Sequence, residues 1–262
     1  MAKSSARRMT SEVMTNDDAT SETASLITPQ YQQPSDPPFT GLETLVTLGD
    51  DLLSGLRDRR RPHVFILSGP SGVGKDTVLA DLRACCPDAH YPVTVTTRPR
   101  RENEIHGVHY IFMSPVEFQT GVDAGDFLEH AHVYENRYGV LRAPVVDALI
   151  RSEDVVAKVD VQGAATIRRQ IAHTISIFIA PESMTQLLRQ IQIRKTETAP
   201  ELAKRFTAAC HELEQAGDFD YIIFNEAERL SATVERVRAI IEAERRRVNQ
   251  STVELSTLRP AH

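Results

Sequence analysis

A short apolar run followed at once by a glycine-rich loop constrains this chain more than any other feature. Residues 64–67 are uninterrupted apolar positions, which is typical of a parallel strand buried on both faces. The loop that follows, Gly69-Pro70-Ser71-Gly72-Val73-Gly74-Lys75, matches the GxxxxGK pattern of a P-loop in the required strand–loop–helix context. Its backbone N–H groups and the next helix N-terminus would face a phosphate, and Lys75 would hold the β- and γ-phosphates. An ordinary glycine-rich turn is the alternative.

The residue after the loop departs from the usual P-loop. A Ser or Thr hydroxyl that reaches Mg²⁺ is common there, whereas this chain has Asp76 followed by Thr77. A carboxylate is also a good ligand for a hard cation, so Asp76 is a candidate Mg²⁺ ligand. Alternatively, Asp76 is only a helix N-terminal residue favoured by the helix dipole. The sequence leaves both interpretations open.

Three further apolar runs predict the fold class. They cover residues 155–157, 175–179 and 221–224. Helical patterns alternate with these runs, over residues 77–85, 145–151, 164–171, 184–194, 200–216 and 231–247. Alternating strands and helices predict an α/β fold with a mostly parallel sheet, whose ligands bind at the carboxyl ends of the strands.

The ends of the chain differ in composition from its middle. Residues 1–39 are rich in Ser, Thr, Pro, Gln and Asp, which predicts disorder, and acidic residues among them argue against a transit peptide. Residues 40–60 form an amphipathic helix or linker that docks on the main domain or binds a partner. We expect the globular domain at residues 61–247 and a C-terminal tail at residues 248–262.

The composition excludes several classes of function. A formal net charge of -6 and a pI near 5.9 give no overall basic field, so we expect neither nucleic acid nor a membrane surface as a partner. Cys85, Cys86 and Cys210 provide neither a disulfide framework nor a CxxC metal pair. No apolar stretch approaches the roughly 20 residues of a membrane-spanning helix. We therefore expect a soluble, cytoplasmic protein, with organelle targeting through the N-terminal extension as the alternative.

A basic segment follows the first βα unit. Arg98, Arg100 and Arg101 precede Glu104 and Tyr110 in a stretch interrupted by Pro and Gly. Guanidinium groups suit bidentate phosphate binding, and a phenol donates one further hydrogen bond. The segment indicates a second phosphate site, unless it is only a solvated basic loop.

At this point the sequence resembles the guanylate kinase family, over roughly residues 61–247. The organelle-type enzymes of plants and their bacterial relatives are the most similar in pattern. Several separate stretches carry the resemblance in the right order: residues 68–75, 96–98, 101 with 104, 106–110, 127–129, 138–139, Val159-Asp160-Val161-Gln162-Gly163, Arg194-Lys195-Thr196-Glu197-Thr198, 204–205 and 224–225.

The resemblance implies a P-loop kinase core, a GMP-binding insertion at about residues 94–150 and a helical lid at about residues 182–207. It implies that ATP, with Mg²⁺, phosphorylates GMP and also dGMP. The residues that it assigns to GMP are Thr94, Arg98, Arg101, Glu104, Tyr110, Glu129, Tyr138 and Asp160. Thr94, Glu129 and Asp160 would face the guanine, and the chemistry supports Glu129, because a carboxylate accepts from guanine N1–H and the N2 amine together.

The resemblance also assigns residues to ATP and to catalysis. Arg194 and Arg205 would belong to the lid and join Lys75 and Arg98 around the transferring phosphoryl group. Asn225 would lie beside the adenine. From the residues alone, the two lid arginines could instead form ion pairs on a helix surface, and Asn225 could be a turn former.

Four positions depart from the family pattern. They are Asp76 in place of a hydroxyl residue, Lys158 in place of an acid two residues before Asp160, Val140 in place of a small hydroxyl residue, and Gln190 in place of Arg. We still expect activity, with the chain as a monomer or homodimer. The competing hypotheses are a ribose bisphosphate-type kinase, which has no use for Glu129, and a guanylate-kinase-like binding module, which has lost the phosphate machinery.

Overall fold

A computed structural model of the chain describes residues 41–57, 61–133, 135–192, 199–248 and 253. The predicted disordered tail and most of the predicted C-terminal tail lie outside these ranges. The strands are β1 (Val64–Ser68), β2 (Val95–Thr96), β3 (Ile111–Phe112), β4 (Phe127–Val133), β5 (Asn136–Leu141), β6 (Val155–Lys158), β7 (Ile175–Pro181) and β8 (Tyr221–Asn225). The helices are α1 (Leu42–Arg57), α2 (Lys75–Cys85), α3 (Pro115–Asp123), α4 (Arg142–Ile150), α5 (Val161–Gln170), α6 (Met184–Gln192), α7 (Ala199–Glu214) and α8 (Leu230–Arg245).

Helix α1 agrees with the amphipathic helix expected at residues 40–60. Its leucines recur at helical spacing, and Glu43 lies in its first turn, where the helix dipole favours a negative charge. Whether this helix docks on the rest of the chain or binds a partner stays a prediction.

A four-stranded parallel sheet forms the centre of the main domain. Its strand order is β6-β1-β7-β8. All five residues of β1 and all seven of β7 are buried, as expected for strands covered on both faces. Because neighbouring parallel strands point the same way, the segments after β1 and β6 emerge at one edge of the sheet. The P-loop and residues 158–160 therefore come together there.

Helices cover both faces of this sheet. Phe65 and Leu67 pack with α2, α6, α7 and α8 on one face. Val64 and Ile66 point to the other face, where they pack with α4, α5 and strands β4 and β6. The alternation along β1 follows from the two-residue period of a strand. The predicted α/β core with a mostly parallel sheet is confirmed.

A second sheet lies within the region expected to form the GMP-binding insertion. It has the order β3-β2-β5-β4 and is antiparallel except for the pair β2 and β3. Helix α3 accompanies it, and its N-terminus has a capping box in which Ser114 and Glu117 exchange hydrogen bonds with each other's backbone. Phe118 and Phe127 stack with ring centroids 4.4 Å apart and bury the centre of this small unit.

Helix α5 joins the two sheets, because it packs on β4 of the second sheet as well as on β1 of the first. Asp160, at its N-cap, accepts a hydrogen bond from the backbone N–H of Gly163 at 2.7 Å. This packing brings the start of α5 close to the residues of β4.

The predicted elements agree with the observed ones to within a few residues. The expected helix at residues 184–194 is described to Gln192, and residues 193–198 lie outside the described ranges. The three cysteines are free thiols. None of the helices in the described part of the chain is long and apolar enough to cross a membrane.

Candidate active site

A cavity of about 650 Å³ lies where the segments after β1 and β6 meet the second sheet and helices α6 and α7. Most of the site residues expected from the sequence line it: Ser71, Gly72, Gly74, Lys75, Asp76, Thr77, Thr94, Arg98, Arg101, Tyr110, Glu129, Tyr138, Asp160 and Arg205. Residues spread over more than 130 positions of the sequence thus share one cavity. Arg194 lies outside the described residues.

The P-loop has the backbone conformation that its glycines permit. Gly69 has φ +139°, and a Cβ there would lie 2.2 Å from the carbonyl oxygen of Ile179, so only glycine fits. Lys75 opens α2 and donates to the carbonyl oxygens of Gly69 and, at 3.1 Å, of Pro70. Burial lowers the pKa of Lys75, although the carboxylates of Glu212 and Asp76 oppose that shift.

Asn225 braces the P-loop from the end of β8. Its amide Nδ2 donates to the carbonyl oxygen of Val73 at 2.8 Å, and its Oδ1 accepts from the hydroxyl of Thr233 at 2.9 Å. The side chain is buried, and Asn225 is not part of the cavity lining, nor are Gly69 and Val73. These contacts give Asn225 a structural role, and its place beside the adenine stays a prediction.

The basic segment after β2 forms a rigid cluster. Arg98 donates to Oε1 of Glu104 at 2.7 Å, and its guanidinium lies 5.4 Å from the ring centroid of Tyr110. The rings of Tyr110 and Tyr138 meet edge to face with centroids 6.3 Å apart. The backbone N–H of Arg101 donates to Oε2 of the same glutamate at 2.8 Å. Glu104 itself does not line the cavity, and in this structure it holds the guanidinium of Arg98 and the backbone of Arg101.

Glu129 lines the cavity, and only 4% of this residue is exposed. The register between β4 and β5 shifts between Phe127 and Glu129, and such a bulge re-aims the side chain that it carries. Burial, with a smaller contribution from the negative charge of Asp160, raises the pKa of Glu129 to about 8. The site therefore favours a ligand whose hydrogen-bond donors compensate an ionised Glu129.

One side of the cavity comes from α6 and α7, which lie in and after the region expected to form the lid. Arg205 is buried and donates to the hydroxyl of Ser71 at 3.1 Å, which ties α7 to the P-loop. Gln190, Glu201 and Lys204 also line this side. Arg205 is therefore buried beside the P-loop, and its place around the transferring phosphoryl group stays a prediction.

Glu212 is a site residue that the sequence analysis missed. It accepts from the backbone N–H of Ser71 at 3.0 Å, and burial raises its pKa although the charge of Lys75 opposes the shift. The sequence did contain a signal for this residue. Glu212 follows Arg205 by two helical turns and therefore lies on the same face of α7.

Lys158 also proves to be a cavity residue. Its Nζ donates to Oδ1 of Asp76 and, at 3.2 Å, to the hydroxyl of Tyr110. The sequence singled out Lys158 and Asp76 as separate departures from a family pattern. The structure brings the two together.

Several carboxylates line the cavity, and Asp76 is the one that the sequence singled out as a ligand for a divalent cation. The described ranges contain no group of three or more His, Cys, Asp or Glu side chains that would hold a metal ion alone. The exposed carboxylate of Asp76, at the start of α2 beside the P-loop, suits the usual mode of Mg²⁺ binding, in which one or two carboxylates act together with substrate phosphates and water.

Comparisons with known proteins agree with this geometry. A family model described as guanylate kinase matches residues 60–244. The rice protein "Guanylate kinase 2, chloroplastic/mitochondrial" is 36% identical over 219 residues, which cover 83% of this chain and 76% of the relative. "Guanylate kinase" of Chelativorans sp. (strain BNC1) is 41% identical over 190 residues, covering 72% of this chain and 86% of the relative. The crystal structure of guanylate kinase from Anaplasma phagocytophilum matches with a TM-score of 0.59 at 29% identity, and the match covers 72% of this chain and 89% of that one.

Proposed function

This chain belongs to the guanylate kinase family, and we propose that its cavity binds ATP and GMP together and transfers the terminal phosphoryl group of ATP to GMP. The observation that carries the proposal is the cavity itself. It is lined by a P-loop, which suits a nucleoside triphosphate, and by an Arg–Tyr cluster, which suits an acceptor phosphate. A buried carboxyl group on the same lining suits a guanine base.

Base selection follows from the chemistry of Glu129. Guanine presents N1–H and the N2 amine side by side, and one carboxylate accepts from both. Adenine has an acceptor at N1 and no N2 amine, so the buried carboxylate would face it without partners. A site built to pair polar groups rejects an analogue that lacks them by roughly 10⁴-fold. Thr94 and Asp160 on the same wall are the further proposed contacts to the base.

The acceptor phosphate would bind Arg98, Arg101, Tyr110 and Tyr138. Arg98 is held by Glu104 and by the Tyr110 ring, so its guanidinium is oriented before the ligand arrives. Such preorganisation reduces the entropy that binding has to overcome. The reacting GMP phosphate oxygen is thereby fixed relative to the P-loop.

Catalysis consists of positioning and charge stabilisation. An oxygen of the GMP phosphate attacks the γ-phosphorus of ATP as the bond to the ADP oxygen breaks, and no covalent enzyme intermediate is needed. Lys75, Arg98 and Arg205 supply positive charge around the moving phosphoryl group, with Arg194 proposed to join them from the lid. Asp76 is the residue proposed to hold Mg²⁺, which neutralises phosphate charge when bound.

Several finer expectations belong to the same proposal. We expect dGMP to serve as an acceptor because it carries the same base and phosphate, and we expect a monomer or homodimer in purine nucleotide metabolism. A cytoplasmic location is proposed, with organelle targeting through residues 1–39 as the alternative, since the rice relative is named chloroplastic/mitochondrial.

The test is an ADP-release assay with ATP and Mg²⁺ in which GMP, dGMP, AMP, UMP and ribose 1,5-bisphosphate are offered separately. Turnover confined to GMP and dGMP is the expected result. Turnover with ribose 1,5-bisphosphate would favour the sugar-phosphate kinase hypothesis. GMP binding without any turnover would favour a binding module.

The pH dependence of the KM for GMP follows from the pKa of Glu129. In the free chain this carboxyl group is neutral below its pKa of about 8, whereas pairing with guanine requires the carboxylate. The KM for GMP should therefore fall by about tenfold per unit as pH rises from 6 and level off above pH 8. Initial rates at fixed saturating ATP measure this, and the KM for ATP serves as the control.

The raised pKa of Glu129 also makes the stability of the ligand-free chain depend on pH, and here a higher pH is unfavourable. An acid whose pKa rises on folding from 4.5 to about 8 makes the ligand-free chain lose stability as pH rises through that window. A KM for GMP that stays constant between pH 6 and 8 would contradict the assignment of Glu129 as the guanine acceptor.

Gly163 gives a steric test of the same carboxylate. A Cβ at this position would lie 2.5 Å from Oε2 of Glu129. Gly163→Ala is therefore expected to displace the carboxylate and to raise the KM for GMP by about tenfold or more, the loss of one charged hydrogen bond. Gly217→Ala is the matched control, since a Cβ there meets nothing within 4 Å. Equal KM values in the two variants would refute the argument.

A further inference from the structure

Two positions at which this chain departs from the guanylate kinase pattern contact each other. A Ser or Thr follows the lysine of the usual P-loop, where this chain has Asp76, and the resemblance implies an acid where it has Lys158. Asp76 lies in the first turn of α2, and Lys158 is the last residue of β6. Because Lys158 Nζ donates to Asp76 Oδ1, the two departures form one ion pair.

The two members of the pair differ in burial. The side chain of Lys158 is 13% exposed and that of Asp76 is 63% exposed. The Asp76 carboxylate and the Tyr110 hydroxyl are hydrogen-bond partners of the largely buried Lys158 ammonium group. A buried charge is tolerated when it is paired. The buried ammonium of Lys158 therefore needs the carboxylate as a partner, whereas water can solvate the exposed carboxylate of Asp76.

Lys158 also reaches the acceptor side of the cavity. Its Nζ lies 3.2 Å from the hydroxyl of Tyr110 and 4.9 Å from the centroid of that ring. The guanidinium of Arg98 lies 5.4 Å from the same centroid. One ammonium group thus contacts the start of α2 behind the P-loop and a tyrosine of the acceptor-phosphate cluster.

We propose that Lys158 is a positioning residue for phosphoryl transfer, which fixes Asp76 on the ATP side and Tyr110 on the GMP side, and that Asp76 and Lys158 function as a matched pair. Relative to the pattern that the resemblance implies, the carboxylate stands at the start of α2 instead of at the neighbouring end of β6. The ammonium takes the position that the acid has in that pattern. The inference deepens the proposed function and rests on it.

A charge-exchange cycle tests the pair. The variants are Lys158→Asp, Asp76→Ser and the double variant, which restores the residue types of the family pattern. Each single change is expected to lower kcat by about 10- to 100-fold, because misplacing reacting groups by about 1 Å costs up to 10²-fold. The double variant should recover kcat at least about tenfold above Lys158→Asp alone, which is a coupling of the size found between residues in contact. If the kcat loss of the double variant equals the product of the two single losses, the proposal is overturned.

Controls separate positioning from folding. The exposed pair of Arg238 and Glu235 on α8, 3.5 Å apart, offers a matched cycle whose variants Arg238→Asp and Glu235→Ser should leave kcat near wild type. Lys158→Met keeps an apolar stem, and we expect a lower kcat for it at an unchanged melting temperature. A loss of rate that only follows the folded fraction would overturn the positioning role.

The wild-type chain is measured in the same series with GMP as acceptor. Wild-type turnover with unaffected variants would reject the matched pair and leave the proposed function standing. No wild-type turnover would reject the proposed function, and the positioning role would fall with it.

Discussion

Glu129→Gln is expected to lower kcat/KM for GMP by about 10³-fold or more, the largest loss of any single conservative change in this chain. Glutamine has nearly the same shape, but its amide group directs two N–H donors where guanine also directs donors. One guanine hydrogen bond is lost, and two donors oppose each other at a residue that is only 4% exposed. Initial rates with GMP at saturating ATP measure the effect.

The loss of kcat/KM should come from lost base recognition and not from a loss of folding. Glu129→Gln removes a carboxyl group whose ionisation is disfavoured by burial, so the melting temperature of the ligand-free variant should not fall. Glu235→Gln, on the exposed face of α8, is the matched control and should retain wild-type kinetics. A Glu129→Gln variant with wild-type kcat/KM for GMP would show that another group selects the base.

Lys75→Met is expected to lower kcat by about 10²- to 10³-fold, the range found when one preorganised donor to a developing charge is removed. Lys75 opens α2 directly after the P-loop, and the carbonyl oxygens of Gly69 and Pro70 already orient its ammonium group. Methionine keeps a stem of similar length and removes the ammonium group, with its charge and its hydrogen bonds. Single-turnover rates with ATP and GMP measure the chemical step.

GMP binding should hardly change in the Lys75→Met variant, because the acceptor cluster of Arg98, Tyr110 and Tyr138 comes from other elements. Calorimetric titration with GMP checks this, and Arg238→Met is the control for the loss of a cation outside the cavity. A kcat within about threefold of wild type would contradict the assignment of Lys75 to the transferring phosphoryl group.

The core of the fold was predictable because buried parallel strands are continuous apolar runs. Residues 64–67 and 175–179 lie within β1 and β7, whose residues are all buried. The second sheet was not predicted as strands, because β2 and β3 have two residues each and the burial of β5 does not alternate. Periodicity needs longer segments than these.

The site was predictable where one short motif specifies the geometry. Lys75 follows from the P-loop, and Arg98 and Glu129 from stretches that resemble a known family. Contacts between distant segments were not predictable in this way. Asp76 and Lys158 are 82 positions apart, and Ser71 and Glu212 are 141 apart, so only the packing of the chain reveals their pairing. Glu104 and Asn225 also contact other residues around the site, and their assignment to the ligands stays a prediction.

The most direct measurement is a label-transfer competition in one reaction. ATP labelled at its γ-phosphorus is incubated with the chain, Mg²⁺ and equal amounts of GMP, IMP and AMP, and the labelled products are separated. IMP has the N1–H donor of guanine but lacks the N2 amine, so it loses one of the two proposed hydrogen bonds to Glu129. Our account predicts label in GDP, much less in IDP and none in ADP. Label in ADP, or equal label in GDP and IDP, would contradict it.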